Sequence, residues 1–333
     1  MTAIARSNGM FIGISAAVFA GFTWSTNFVA PFLIDPYSIF DLAACRFLLS
    51  GLLGVAIICT RVELCRGLTW NDWLAAAGLG LIGYVGYFVA VAASAVYAGP
   101  VIPPAFLGLV PVILAICGNL RSSGIPWKSL LFPIGLALAG LLLVNGDGFY
   151  QIGRRSDNSL AIGIASSIGA VALWTWFGLA NQSALLKRGQ IDALVWTAMM
   201  MIGGSLQTLA LLPIGNQMHL FNAPAIGLSV EIVTNLLLPG LFLAAVPSIG
   251  GAWAWTVASQ RLPISLAGQL LTTEVVFAMC FGLMITARWP TATELLGATC
   301  LIVGVIIAVG MFYARRPVVH LDDDITIKQT GIV

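Results

Sequence analysis

The sequence predicts an all-α membrane protein, with ten transmembrane helices arranged as two inverted five-helix repeats around a central cavity. Three observations lead there. Charged residues are only 8% of the 333 positions, against roughly 25% in soluble globular chains. Apolar residues supply 59%, too much for a water-solvated surface but acceptable where lipid surrounds the exterior. The apolar residues also fall into ten runs, each close to the roughly 20 residues a spanning helix needs, and the second five runs repeat features of the first five.

The runs occupy 9–30, 38–60, 72–95, 100–119, 128–146, 160–181, 192–213, 234–259, 264–287 and 291–313. The first is uncharged after Arg6. It has no clear cleavage site and forms half of a repeat, so it is expected to stay in the membrane rather than be removed as a signal peptide. The second opens at Asp41 and carries Arg46. The third holds Gly80, Gly83 and Gly86, spaced to let helices approach closely, with Tyr84 and Tyr87 one turn apart. Pro100, Pro103, Pro104, Pro239, Pro247 and Pro263 fall within or between runs three, four, eight and nine, where each removes a backbone hydrogen bond and permits a bend; they are read as hinges. The eighth run sets Trp253 and Trp255 beside Gly250 and Gly251, and the ninth contains Gln269 and Glu274.

The repeat begins with GISAAVFAGFTW at 13–24, answered by GIASSIGAVALW at 163–174, so that Gly13, Ile14, Ala20 and Trp24 recur as Gly163, Ile164, Ala170 and Trp174. Asp41 and Asp192 open the second and seventh runs. Further on, GPVIPPAFLGLVPVILAIC at 99–117 aligns with LPISLAGQLLTTEVVFAMC at 262–280, a separation of 163 positions. Five helices per half make the second half start on the opposite side of the membrane, which is the inverted-topology arrangement of many secondary transporters. The expected division is 1–150 for the first repeat, 151–315 for the second and 316–333 for a polar cytoplasmic tail. Trp24 and Trp174 should then occupy equivalent places on opposite sides of the cavity.

Lysine and arginine set the orientation, because short cytoplasmic loops hold their excess. With the amino terminus inside, Arg6, Arg61, Arg66, Arg121, Lys128, Lys187, Arg188, Arg261, Arg315, Arg316 and Lys328 are cytoplasmic, and only Arg154, Arg155 and Arg288 are external. Both termini are expected to be cytoplasmic, in a multi-pass protein of the inner (cytoplasmic) membrane.

The five-plus-five spans, the paired first helices, FDLAACRFLLSG at 40–51 and the closing GATCLIVGVII at 297–307 together resemble the EamA-type transporters of the drug/metabolite transporter superfamily. The resemblance covers about residues 9–313. WST at 24–26, Tyr84 and the tryptophans of the eighth run look most similar to YddG-type aromatic amino acid exporters. It implies a ten-helix basket around a central cavity and export of small metabolites or drugs. Arginine is common in the family at the position of Arg46, which implies a structural pairing. Proline is common where this chain has Glu274, whereas the first-half equivalent Pro111 keeps it.

Glu274 is the only acidic residue deep in a run. An ionised carboxylate at the bilayer centre is penalised by roughly 2.5–3.5 kcal/mol or more. It must face a wet cavity, pair, or hold its proton against a neighbouring helix. Arg46 can pair with it, bind a substrate carboxylate, or snorkel outward. Trp24, Tyr84, Tyr87, Trp174, Trp253 and Trp255 are candidates to line a pocket that stacks on a ring or holds an ammonium; interfacial aromatics are the alternative. Trp70, Trp73, Trp127 and Trp289 are expected at the membrane surfaces. Asn27, Ser94, Asn181, Gln260, Gln269, Thr272 and Thr273 offer polar contacts or helix-to-helix glue, with Gln269 the deepest.

The six cysteines show no metal-ligand spacing and read as packing residues. No histidine lies in any run, no metal cluster and no nucleotide-binding loop is present, and nothing points to a cofactor or to nucleic acid. An enzyme is therefore not expected. A channel is disfavoured because the polar groups are sparse and central. Only Arg46 is available as a cation within a run, which argues against phosphorylated substrates. The expected partners are the bilayer, protons and a small molecule, with amino acids first and lipophilic cations second. A monomer or weak homodimer is expected.

Overall fold

The computed structural model describes residues 3–99, 102–122, 126–146, 158–189, 191–227 and 232–314. Pro100, Arg154, Arg155, the 150/151 junction and the 316–333 tail, with Arg315, Arg316 and Lys328, lie outside the described residues.

Ten helices are long and apolar enough to cross a membrane: α1 (Asn8–Phe28), α2 (Ile39–Thr60), α3 (Trp70–Ala98), α4 (Ile102–Arg121), α5 (Trp127–Val144), α6 (Asn158–Lys187), α7 (Ala193–Gln217), α8 (Val233–Arg261), α9 (Ile264–Ile285) and α10 (Ala292–Ala314). No strand occurs among the described residues. Helices are the natural outcome, because lipid offers no partner for a free N–H or C=O and a helix satisfies both internally.

Polar residues fix the ends. Ser38 and Asp41 form a reciprocal capping box at the start of α2, and Thr69 and Asp72 form another at α3. Asp192 accepts from the amides of Leu194 and Val195 at the start of α7. Each thereby supplies a partner to first-turn amides that no helix can satisfy internally. The 30 residues of α6 reach about 45 Å at 1.5 Å per residue. That exceeds the expected 160–181, and it is longer than the roughly 30 Å hydrocarbon thickness.

The packing is exchanged onto itself when each helix of the first half is replaced by the helix five further on. α1 packs on α8 and α9, as α6 packs on α3 and α4; α2 lies on α7, α4 on α9 and α5 on α10. Most contacts thus run between halves, which interlock rather than forming two bodies. The recurring glycine of the first motif has a matching use in each copy. A methyl added at Gly13 would run into Leu262 and Arg261, and one added at Gly163 would run into Ala98. Ala98 and Arg261 are themselves 163 positions apart, so both glycines admit equivalent neighbours.

Four helices are irregular in matched pairs. α3 turns to wide π geometry at Leu81–Gly86, and α8 does so at Ala244–Gly251, beginning 163 positions later. α4 is interrupted at Gly108, between Ile102–Leu107 and Leu109–Ser122. α9 is interrupted at Leu271, again 163 positions on, between Ile264–Leu270 and Thr272–Ile285. The anticipated hinges at Pro103, Pro104, Pro239, Pro247 and Pro263 lie in or next to these irregular helices.

Candidate functional site

The middle of the bundle is an aromatic cluster supplied by α1, α3, α6 and α8. Trp24 and Trp174 do not face each other across open space, as the repeat suggested. They touch edge to face, with ring centroids 5.4 Å apart and planes at 85°. The two recurring indoles therefore meet directly rather than across a gap. Trp255 closes the triangle, 5.4 Å from Trp174 and 5.9 Å from Trp24. Phe177 stacks edge-on to Trp174 at 5.7 Å, and Tyr84 edge-on to Phe177 at 5.5 Å. Each such pair contributes about 0.5–1.5 kcal/mol beyond its buried area.

The position of Trp24 is set by α8. Its indole N–H donates to the Pro247 carbonyl at 3.0 Å, inside the π segment where wide turns leave carbonyls out of register. Gly251 makes room for the ring: a methyl there would lie 2.7 Å from Trp24 Nε1 and 2.5 Å from Thr23 Oγ1. Trp255 is fully buried, whereas Trp253 is 40% exposed. Two residues apart on a helix is about 200° of rotation, so Trp253 faces away from the cluster that Trp255 joins. The structure puts Trp255, not Trp253, with the other indoles.

Several polar atoms in these helices and in α9 are buried without a partner among the described residues. They are the Tyr84 hydroxyl, the Trp255 indole N–H, the Thr175 and Ser259 hydroxyls, and both ends of the Gln269 amide. Buried polar groups are nearly always hydrogen-bonded, so each unpaired one needs an explanation. Leu270 and Leu271, next to Gln269, belong to the same apolar core as the three indoles.

Arg46 is buried and does not pair with Glu274. Its Nε donates to Ser248 Oγ and its NH1 to Asn27 Oδ1, both at 2.8 Å, and the guanidinium lies 5.2 Å from the Phe47 ring centre. These bonds tie α2 to α8 and α1. Tyr84 and Tyr87 lie within electrostatic range of Arg46, and Tyr87 also of Glu274. Glu274 sits among the helices beside Gly21 of α1, yet its side chain keeps accessible surface. Its carboxylate has no hydrogen bond or ion pair among the described residues.

The break in α9 occurs without proline. The Thr272 and Thr273 hydroxyls donate back to the carbonyls of Gln269 and Leu270 at 2.8 and 2.7 Å, and the Glu274 amide bonds Leu271 O at 3.0 Å. Other polar candidates act as glue. Ser94 bonds Ser167, Asn181 accepts from Trp196, and Gln260 donates to Ile191 O. Trp70, Trp127 and Trp289 are exposed and Trp73 half-buried.

The cluster lies between two ties. At the end where Asp41 lies, its carboxylate accepts from the Asn222 amide at 2.9 Å and Ser38 Oγ donates to Leu220 O at 2.8 Å. At the other, Arg188 pairs with Asp72 at 2.6 Å and Gln182 donates to Leu262 O at 2.8 Å. Phe177 and Ser248 were not anticipated from the sequence. Phe177 follows Trp174 by three positions, a spacing that shares a helix face; nothing local marks Ser248.

No protein-family profile matches the chain. The chain is 26% identical over 323 residues to the inner membrane protein YtfF of Escherichia coli (strain K12), covering 90% of this chain and 95% of that protein. It also superposes on a protein of known crystal structure with a TM-score of 0.70, over 93% of this chain and 99% of that one, at 18% identity. That second likeness is one of fold.

Proposed function

We propose that the protein is a secondary transporter of the inner (cytoplasmic) membrane, exporting a small neutral or zwitterionic metabolite, an amino acid first, by alternating access. Both termini are assigned to the cytoplasm, in keeping with the distribution of lysine and arginine. The observation that carries the reading is the combination of an indole and phenyl cluster with buried, unpartnered polar atoms: Tyr84, Trp255 and Gln269. Small-molecule sites are lined mostly by apolar and aromatic side chains, with a few converging polar groups. Broken helices paired between repeats are also where transporters place their sites. The similarity to an inner membrane protein over nearly the full length supports the location.

In this reading the indoles and Tyr84 hold the apolar part of the substrate, while Tyr87 and Glu274 face its amine. Arg46, already bonded to Ser248 and Asn27, positions the wall they share. Glu274 exchanges its proton or its substrate contact as the two ends open in turn. A lipophilic cation is the second substrate class, favoured by the unpaired Glu274 carboxylate near so many rings.

The test is counterflow of labelled phenylalanine into proteoliposomes loaded with unlabelled amino acids. Saturable accumulation supported by some compounds and not others is expected. Flux that never saturates would point to a channel, and accumulation driven only by lipophilic cations would reverse the order of substrates.

A further inference from the structure

Away from the aromatic cluster, a groove of about 680 Å³ opens between α4 and α6. Its wall on α6 includes Trp176, Ala180, Ser183 and Lys187, at the three- and four-residue spacing of one helix face, with Leu179 and Ala184 beside them. On α4 the wall is Cys117, Leu120 and Arg121. The two ends differ in chemistry. The deep end is apolar, with Trp176 exposed and Ala180 and Cys117 beside it; Leu120, next to Arg121, is exposed nearer the mouth. The end near the helix termini gathers three cations, Arg121, Lys187 and Arg188.

Only one of the three has its charge met. Arg188 is paired with Asp72 at 2.6 Å. Arg121 bonds neutral groups, Leu179 O and Ser183 Oγ, at 3.2 and 3.1 Å, and its guanidinium is exposed. Lys187 is exposed, with no ion pair among the described residues. From Trp176 to Lys187 the helix rises about 16 Å, close to half the roughly 30 Å hydrocarbon thickness. The groove therefore has the depth of one lipid leaflet, with an unbalanced positive mouth at headgroup level.

We propose that this groove is a binding site for an anionic phospholipid, its phosphate held by Arg121 and Lys187 and one acyl chain running past Leu120 and along Ala180 to Trp176. Basic pockets between transmembrane helices suit such headgroups. A soluble anion would use the cations but not the apolar depth. The lipid would brace α4 against α6 without entering the aromatic cluster: Trp176 is two positions from Trp174 and faces the other way.

The test is native mass spectrometry of the delipidated full-length protein, titrated with phosphatidylglycerol or with phosphatidylcholine of the same chains. One tightly held phosphatidylglycerol per protein is expected. The pair Arg121→Ala and Lys187→Ala should weaken it about thirtyfold, at the worth of two headgroup-level cations. Arg121→Lys with Lys187→Arg should keep it, and Arg66→Ala, which removes an exposed charge outside the groove, should have no effect. Trp176→Ala should weaken both lipids. Equal binding of the two lipids, unchanged binding by the double alanine variant, or displacement of lipid by millimolar inorganic phosphate would each overturn the proposal.

Discussion

The two broken helices, α4 and α9, reach the same shape by different chemistry. α4 breaks at Gly108, three residues before Pro111, which has no amide hydrogen to continue the ladder. α9 breaks at the equivalent Leu271, three residues before Glu274, where threonine hydroxyls bond the carbonyls that a proline would otherwise release. Ser and Thr side chains can satisfy backbone groups freed within a membrane helix. The comparison teaches that the interruption belongs to the architecture and that the residue beyond it is free to change. In the second half, that freedom puts a carboxylate where the first half has a ring. Without the proline, the hydroxyls of Thr272 and Thr273 supply partners to the carbonyls at the break.

The comparison can be broken most severely with proline. Val303→Pro in the unbroken α10, at a partly exposed position, should cost about 3 kcal/mol or more, read as a fall in melting temperature of the purified protein. Glu274→Pro should cost under about 1 kcal/mol by that measure, because α9 is already interrupted and the large proline cost belongs to intact helices. Equal losses would mean that the break at Leu271 is not equivalent to the one at Gly108.

Next in size is the function that the carboxylate brings. Glu274→Gln should fold normally but lower apparent substrate affinity about tenfold to a hundredfold, the worth of a charge-assisted contact, and flatten the pH dependence of transport. Proteoliposome uptake across a pH series checks both; an unchanged profile would remove Glu274 from coupling.

A third contrast sets α8 against itself. Gly251→Ala should cost about 1–3 kcal/mol, because the methyl meets Trp24 and Thr23, and it should shift the tryptophan fluorescence of the cluster. Gly250→Ala, whose methyl would meet only ordinary contacts with Ala245 O and Phe19, should be nearly silent in both.

The smallest effect is expected at the hydroxyls. Thr272→Val and Thr273→Val should each cost about 0.6–1.7 kcal/mol, and Glu274→Pro placed on the double valine background should recover part of that loss. Thermal melts of the four combinations decide it.

The sequence by itself determined the number of spans and two of the helix starts. Length and apolar content are enough to commit a segment to the bilayer, and Asp41 and Asp192 mark helix starts because unpaired amides need acceptors; the cap at Thr69, ahead of the expected start at 72, came only from the structure. The spacings of 150 and 163 positions in the sequence also mark where glycines, π turns and breaks recur in space. What the sequence could not decide was which way each side chain faces. In lipid an apolar residue is welcome on either face, so a helix that is apolar all round gives no moment to read. Trp253 and Trp255 are indistinguishable on that ground, and only the packing of α8 against α1 and α6 chooses Trp255. The same holds for Arg46. Its composition announced a buried cation, but its partners, Asn27 and Ser248, come from two other helices. They were set by how closely small residues let those helices approach, a property of the assembled bundle rather than of any one segment.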